Sequence, residues 1–537
     1  AIAFHQQTVA SAQTAFIDDL IGRIEAAGGI ALAFYSPVMG KRDFSDVLAP
    51  GGRPLANVVI NTQIMLNPEG RRAEFEALGL PVIQAMAYRK GDAQAWERDP
   101  SGIALMDVPF YLAQPEYAGV HDVMVAAGTD AGEQLRAIDG QARAVVAKAL
   151  ALARLQRLDH ADKKVAIMFW NYPPGEKNLG ASFMNLPASL QATLAALQAD
   201  GYRTEVPDAG VLTLQLQRLL RPFYRPGKVA EEMEGLLRDG LADLLPLEQY
   251  RQWLAGLPAS QRDAWIAQVG QPESSVFVVT RGGKPHHVVP RLKLGNVVIL
   301  PQPPRGEPVG GDVYAKGKEI YHSSSAAPPH SYMASYLWVR AGFGADALVH
   351  YGTHGTQEWL PGKERGLHVG DYPLLALGDL PVVYPYIVDN IGEAVQTKRR
   401  GRAVNISHQT PPMAPAGLHR DMGYSRERIA ADFPAFLGKL HDHLHTLAEE
   451  VQPLGLHTFG RGAGEDGRLY TTMMMLGRPF WEAAATLADG RPDDADEALV
   501  ADYTRMKDTA PYRLLHRHVV QGADIAPLPA ALRTQLE

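Results

Sequence analysis

Four short apolar runs, at residues 2–4, 30–35, 57–61 and 81–85, are separated by helical stretches such as 11–27. Strands that alternate with helices are joined by crossovers, and the crossovers cover both faces of a parallel sheet. Residues 1–130 are therefore expected to form an α/β domain. No Gly-x-Gly-x-x-Gly turn follows any of these strands, so the dinucleotide-binding fingerprint is missing.

At 537 residues the chain is too long for one domain. An Ala/Leu/Arg-rich helix over 131–160 is expected to connect to a second α/β unit at 161–272, opened by a strand at 164–170. A charged helical insert fills 228–270 of that unit. A third region, 273–420, carries strands near 275–280, 297–300, 345–349, 382–384 and 403–406, with helices at 329–341 and 391–400. Residues 421–537 are mostly helical. The fold class is α/β: several doubly wound parallel-sheet domains with helical insertions and a mostly helical C-terminal part. The loop at 171–185 exceeds the usual two to six residues of a βα connection, which favours a functional role.

The chemistry concentrates in His350-Tyr351-Gly352-Thr353-His354-Gly355-Thr356-Gln357-Glu358-Trp359-Leu360-Pro361-Gly362-Lys363. The apolar run before it predicts a buried strand, and Gly352 and Gly355 predict a tight turn. Thr356 is expected to cap a short helix that Pro361-Gly362 stops. His350, His354 and Glu358 would then stand at and just beyond a strand's carboxyl end, where α/β ligand sites form. Two imidazoles and a carboxylate can hold a divalent metal or move protons. They can equally serve structure, with the histidines bonded to backbone and Glu358 favouring a helix N-terminus. The spacing is not the zinc-protease His-Glu-x-x-His, because the glycines break the single helix face which that motif needs.

Zero cysteines remove thiolate metal sites, disulfides and cysteine nucleophiles, leaving histidine and carboxylate as natural ligands. A net charge of -7 argues against a general nucleic-acid binder. No apolar run is long enough for a membrane span, and no Gly-Lys-Ser or Gly-Lys-Thr exists to build a Walker A loop. His441-Asp442-His443-Leu444-His445 is read as a polar helix face and Met473-Met474-Met475 as core.

The signature resembles that of the large subunits of the ATP-dependent tetrapyrrole metal chelatases: cobaltochelatase CobN and its magnesium chelatase counterpart. Its Glu-Trp-Leu-Pro-Gly-Lys ending is closer to the cobalt form. The resemblance extends over about residues 165–460, through Asn171-Tyr172-Pro173-Pro174, Asn178-Leu179-Gly180, Gln302-Pro303, Pro328-Pro329-His330, Lys398-Arg399-Arg400, Thr410-Pro411-Pro412 and Gly455-Leu456-His457. It implies a fragment of a longer, cytoplasmic catalytic subunit that inserts Co²⁺ into hydrogenobyrinate a,c-diamide in aerobic cobalamin synthesis. ATP and Mg²⁺ would be handled by two smaller AAA+-type partners. His350 and His354 would hold the metal, with Glu358 a third ligand or the base. Asn171, Tyr172, Asn178, Gly180, Trp359, Lys363 and Arg399 would bind the tetrapyrrole, with Tyr332, Tyr351 and Arg365 beside them. Rival readings are a magnesium chelatase H-type large subunit acting on protoporphyrin IX, a noncatalytic tetrapyrrole carrier and a metal-dependent hydrolase.

Overall fold

The computed structural model describes residues 1–36, 43–172, 174–180, 184–307, 323–352, 354–388, 390–408, 433, 436–437, 457–462, 464–488 and 503–537. Thr410-Pro411-Pro412, Tyr321-His322 and the His441 to His445 tract lie outside these residues. Two compact units emerge. One comprises Ala1–Asn178 and Leu194–Ser407, the other Leu179–Thr193 and His408–Glu537.

The first unit holds two six-stranded sheets. The N-terminal sheet contains β1 (Ile2–His5), β2 (Ala33–Ser36), β3 (Val59–Asn61), β4 (Val82–Tyr88), β5 (Asp122–Thr129) and β6 (Leu135–Ala137). Its order is β2-β1-β3-β4-β5-β6, parallel except for the antiparallel β5–β6 pair. Helix formation ahead of β4 is well signalled, because Asn67 caps Gly70 N–H and Pro68 follows at the first helical position. β5 has no counterpart among the expected strands. Its Ala126, Ala127 and Gly128 have weak strand propensity, and burial in the sheet selects the extended form. The connecting helix is also shorter than 131–160: β6 takes its first residues and the helix itself is Asp139–Arg157.

The second sheet is assembled from β7 (Val165–Phe169), β11 (Leu292–Leu294), β12 (Val297–Pro301), β13 (Ala347–Tyr351), β14 (Val382–Ile387) and β15 (Ala403–His408). Its order is β11-β12-β7-β13-β14-β15. This corrects the boundary expected at residue 272, because β7 pairs in parallel with both β12 and β13. The regions 161–272 and 273–420 thus share one sheet. A separate antiparallel sheet of β8 (Ala242–Pro246), β10 (Lys284–Pro290) and β9 (Val278–Arg281) draws β8 from inside the expected helical insert. Ala166, Met168, Val298, Leu300 and Leu348 pack in the core against Tyr332 and Tyr336 of the helix His330–Leu337.

Buried charge ties the two sheets together. Arg402 Nη2 donates to Asp122 Oδ2 at 2.7 Å, with both side chains almost fully buried, and Arg402 Nη1 donates to the Gly378 carbonyl. Lys148 Nζ donates to the Leu380 carbonyl at 2.5 Å. Burial, aided by neighbouring Arg402, lowers the Lys148 ammonium to about 7.

The second unit is helical in its described part. The segment Glu465–Leu487 is interrupted where Gly477 adopts a φ of 67° two residues ahead of Pro479. Leu469, Tyr470, Met473, Phe480, Trp481, Met506 and Leu515 form its core. Met473 is core as expected, whereas Met475 is 74% exposed. The two point to opposite sides of one helix. No helix among the described residues is long and apolar enough to cross a membrane.

Candidate active site at the strand ends of the second sheet

The chains leaving β7 and β13 emerge side by side, since Trp170 N–H donates to the Tyr351 carbonyl at 3.1 Å. Tyr172, just beyond β7, therefore meets His354, just beyond β13, with ring centroids 5.3 Å apart and tilted edge to face. His354 takes a φ of 76°, a left-handed conformation that is uncommon for a residue with a side chain. Gly355 is needed next to it, because a Cβ there would stand 2.3 Å from the Tyr384 hydroxyl.

His354 Nδ1 lies 2.6 Å from Glu393 Oε2, and the Tyr386 hydroxyl donates to the same oxygen at 2.7 Å. Glu393 stands at the start of the helix Ile391–Arg399, capped by Asn390. Burial pushes its carboxyl up, but the hydrogen bonds from His354, Tyr386 and Asn390 prevail and hold it at about 2. A charged acceptor on Nδ1 fixes a proton there and orients the ring, so that Nε2 is the nitrogen left to meet a ligand. That nitrogen is then suited to a cation or a proton.

Glu358 lies four residues further on, in the 3₁₀ turn Gln357–Trp359, and is fully buried. The Tyr384 hydroxyl donates weakly to Oε1 at 3.4 Å, and Oε2 has no hydrogen-bond partner among the described residues. Burial disfavours the charged form and raises this acid to about 7. The group can therefore exchange a proton near neutral pH.

Several expected roles are corrected. His350 belongs to β13 itself and is buried, with Nε2 2.9 Å from the Tyr336 hydroxyl. Burial lowers it to about 3, so it stays neutral within the framework. Among the described residues no group of three or more His, Asp and Glu is arranged to hold a metal ion. His350, His354 and Glu358 accordingly do not form a preassembled ligand triad. Thr356 takes the N-cap position of the 3₁₀ turn Gln357–Trp359, but its side chain makes no capping bond: its N–H and hydroxyl both donate to Gln302 Oε1, at 2.8 and 3.0 Å.

Tyr332 and Tyr351 are core residues rather than a ring platform. The cations meant for a substrate rim are engaged elsewhere. Lys363 Nζ donates to the carbonyls of Trp96, Glu97 and Asp99 at 3.0, 2.9 and 2.6 Å. Arg399 grips Glu116 through two bonds of 2.8 Å, and Arg365 Nε donates to the Ile103 carbonyl at 3.1 Å. Asn171 is buried and shapes its own loop, donating to the Gly175 carbonyl and bonding Tyr224. Asn178 Nδ2 donates to the Pro174 carbonyl. Gly180 falls in the second unit, while Trp359 is half-buried beside Glu358. Of the proposed binders, Tyr172 is brought directly to His354.

Glu393, Tyr384, Tyr386 and Arg400 are the residues that sequence reasoning missed. Asn390 and Glu393 have the spacing of a helix capping box, which by itself signals only a helix start.

A mostly parallel sheet, antiparallel at its β11–β12 edge, with a carboxylate-held histidine and a protonatable buried acid at its strand ends defines an α/β protein of the strand-end-site class. The chain belongs to the CobN/Magnesium Chelatase family, whose model matches residues 1–430. It is 31% identical over 435 residues to the aerobic cobaltochelatase subunit CobN of Sinorhizobium sp, covering 77% of this chain and 32% of that protein. The H-type subunit of the magnesium chelatase of Rhodobacter capsulatus is 27% identical over 505 residues, covering 86% of this chain and 39% of that one. The catalytic subunit of cobaltochelatase from Mycobacterium tuberculosis shares the fold, with a TM-score of 0.73 and 23% identity over all of this chain and 50% of that one. The chain thus spans about a third of the length of the curated relatives it matches.

Proposed function

We propose that this chain is the substrate-binding and catalytic part of an ATP-dependent tetrapyrrole metal chelatase of the cobaltochelatase kind. Its substrates would be Co²⁺ and hydrogenobyrinate a,c-diamide. The observation that carries the reading is the pairing of His354–Glu393 with a buried acid poised near 7, four residues apart in one loop. Metal insertion needs a ligand that accepts the partly dehydrated cation and a base for the pyrrolic N–H proton. His354 Nε2 supplies the first and Glu358 the second. As the ring nitrogen's lone pair turns to the metal, its N–H proton passes to Glu358. The half-buried rings of Tyr172 and Trp359 offer apolar surface to a flat macrocycle. This sequence holds no phosphate-cradling loop; nucleotide hydrolysis would fall to two AAA+-type partners, and the assembly would work in the cytoplasm, as the family resemblance implies.

Spectral titration tests the metal and ring class. Hydrogenobyrinate diamide is expected to bind at least tenfold more tightly than protoporphyrin IX, about the discrimination of 1.4 kcal/mol. The reverse order would make this the large subunit of a magnesium chelatase. Binding of both rings without insertion in the complete enzyme would leave a carrier.

Glu393→Gln is expected to slow insertion about tenfold, in the range seen when the partner of a ligating histidine is removed. The apparent KM for Co²⁺ should rise while ring affinity holds. An unchanged metal dependence would show that His354 is not the metal's first contact.

A further inference from the structure

We infer that Arg400 is a positioning residue for Glu358, clamping the loop that carries it; the inference rests on Glu358 being the base of insertion. The guanidinium satisfies three carbonyls of that loop at once. Nε donates to Glu358 at 2.7 Å, Nη2 to Leu360 at 2.7 Å and Nη1 to Lys363 at 2.5 Å. The loop answers, with Gln357 Nε2 donating to the Arg400 carbonyl at 3.4 Å and to the Pro373 carbonyl at 2.8 Å. Cations near a helix C-terminus ordinarily offset that helix's own dipole. Arg400, the C-cap of Ile391–Arg399, turns instead to a different segment about forty residues earlier.

The geometry explains why this position carries arginine. Three diverging carbonyls need a planar fork with fixed donors, and a lysine ammonium is a compact charge that cannot span them. The 3₁₀ turn holding Glu358 is three residues long, with backbone bonds only from Trp359 N–H to Thr356 and from Leu360 N–H to Gln357, both 3.2 Å. So short a turn has little to fix it from within, and the arginine supplies the external anchor. The same helix bears Glu393 at its other end. One rigid element thereby sets both His354, through its side chain, and Glu358, through its backbone. A catalytic group displaced by about 1 Å can lose on the order of 100-fold in rate.

The test is Arg400→Lys in the complete chelatase, assayed with hydrogenobyrinate diamide and Co²⁺, alone and combined with Glu358→Gln. Arg400→Lys is expected to lower kcat roughly 30-fold, somewhat less than a full 1 Å displacement. The KM for each substrate and the ring affinity should stay within about threefold, the pattern of an interaction used only in the transition state. Because Arg400 acts through Glu358, the double variant should be no slower than Glu358→Gln alone, whereas independent residues would multiply to about 3,000-fold. Multiplying effects, an unchanged kcat or loss of ring binding by Arg400→Lys would each overturn the inference, the last because the arginine then holds the fold. If Glu358→Gln alone inserts metal at the parent rate, the base assignment fails instead. If Glu358→Gln is slow and Arg400→Lys is not, only the positioning role fails.

Discussion

Glu358→Gln is expected to slow metal insertion about 100-fold, the lower range for loss of a general base, with ring affinity held within about threefold. The amide keeps the shape and the weak bond from Tyr384 but cannot take a proton. The parent's insertion rate should rise with pH through about 7, as Glu358 ionises, and the variant should lose that limb. Glu358 is faced by Glu393, which opposes its ionisation, and by Tyr384 and Arg400, which favour it. Stability should move the opposite way. Between the ordinary value of 4.5 and about 7 the unfolded chain gives up the Glu358 proton while the folded chain keeps it. The parent therefore loses on the order of 3 kcal/mol of relative stability across that window, at about 1.4 kcal/mol per pH unit. Denaturant titrations at pH 5 and 8 should show the Gln variant gaining on the parent at the higher pH. Parallel curves would mean that Glu358 is not buried as an acid.

Asp122→Asn should cost about 3–5 kcal/mol, the usual consequence of stranding one member of a buried ion pair. Arg402 would keep its bond to Gly378 and the longer 3.8 Å contact with half-exposed Asp379, but lose its buried partner, and Lys148 stands close by with its own positive charge. Replacing both partners, Asp122→Leu with Arg402→Met, should recover most of the loss, since apolar replacement of a buried pair is often neutral. Burial pushes the Asp122 carboxyl up, but Arg402 outweighs it and holds the acid below the ordinary 3.8. Its contribution is present above that value and vanishes as pH falls below it. Chemical denaturation at neutral pH is the measurement. A change under 1 kcal/mol for Asp122→Asn would mean that water reaches the guanidinium.

The strands with branched apolar runs were legible in the amino-acid order, because Val165-Ala166-Ile167-Met168-Phe169 suits burial on both faces of a sheet. β8 was hidden by Ala242, Leu244 and Leu245, good helix formers inside a charged helical stretch. In the site, His354 and Glu358 were visible as a spaced pair beside glycines. Glu393 was not, for it lies 39 residues beyond His354 and only the β13-to-β14 crossover brings it back. The rim cations misled for a different reason. A lysine's partner can be a backbone carbonyl, which leaves no mark in side-chain chemistry, and those of Lys363 lie 264 to 267 residues away.

The place of β7 in the second sheet has a consequence for how the chain is made. Its neighbours β12 and β13 come about 130 and about 180 residues later in the sequence. At roughly 5–20 residues per second, the ribosome would leave β7 with both edges open for about seven to twenty-six seconds, and with one edge open for about two to ten seconds more. Pairing across such separations requires closing very long loops, which makes folding slow. Val165–Phe169 is an uncharged, strongly strand-forming segment, and an open edge of that kind invites pairing with another nascent copy. Yield on overexpression should accordingly depend on chaperone supply and temperature more than on the stability of the finished fold.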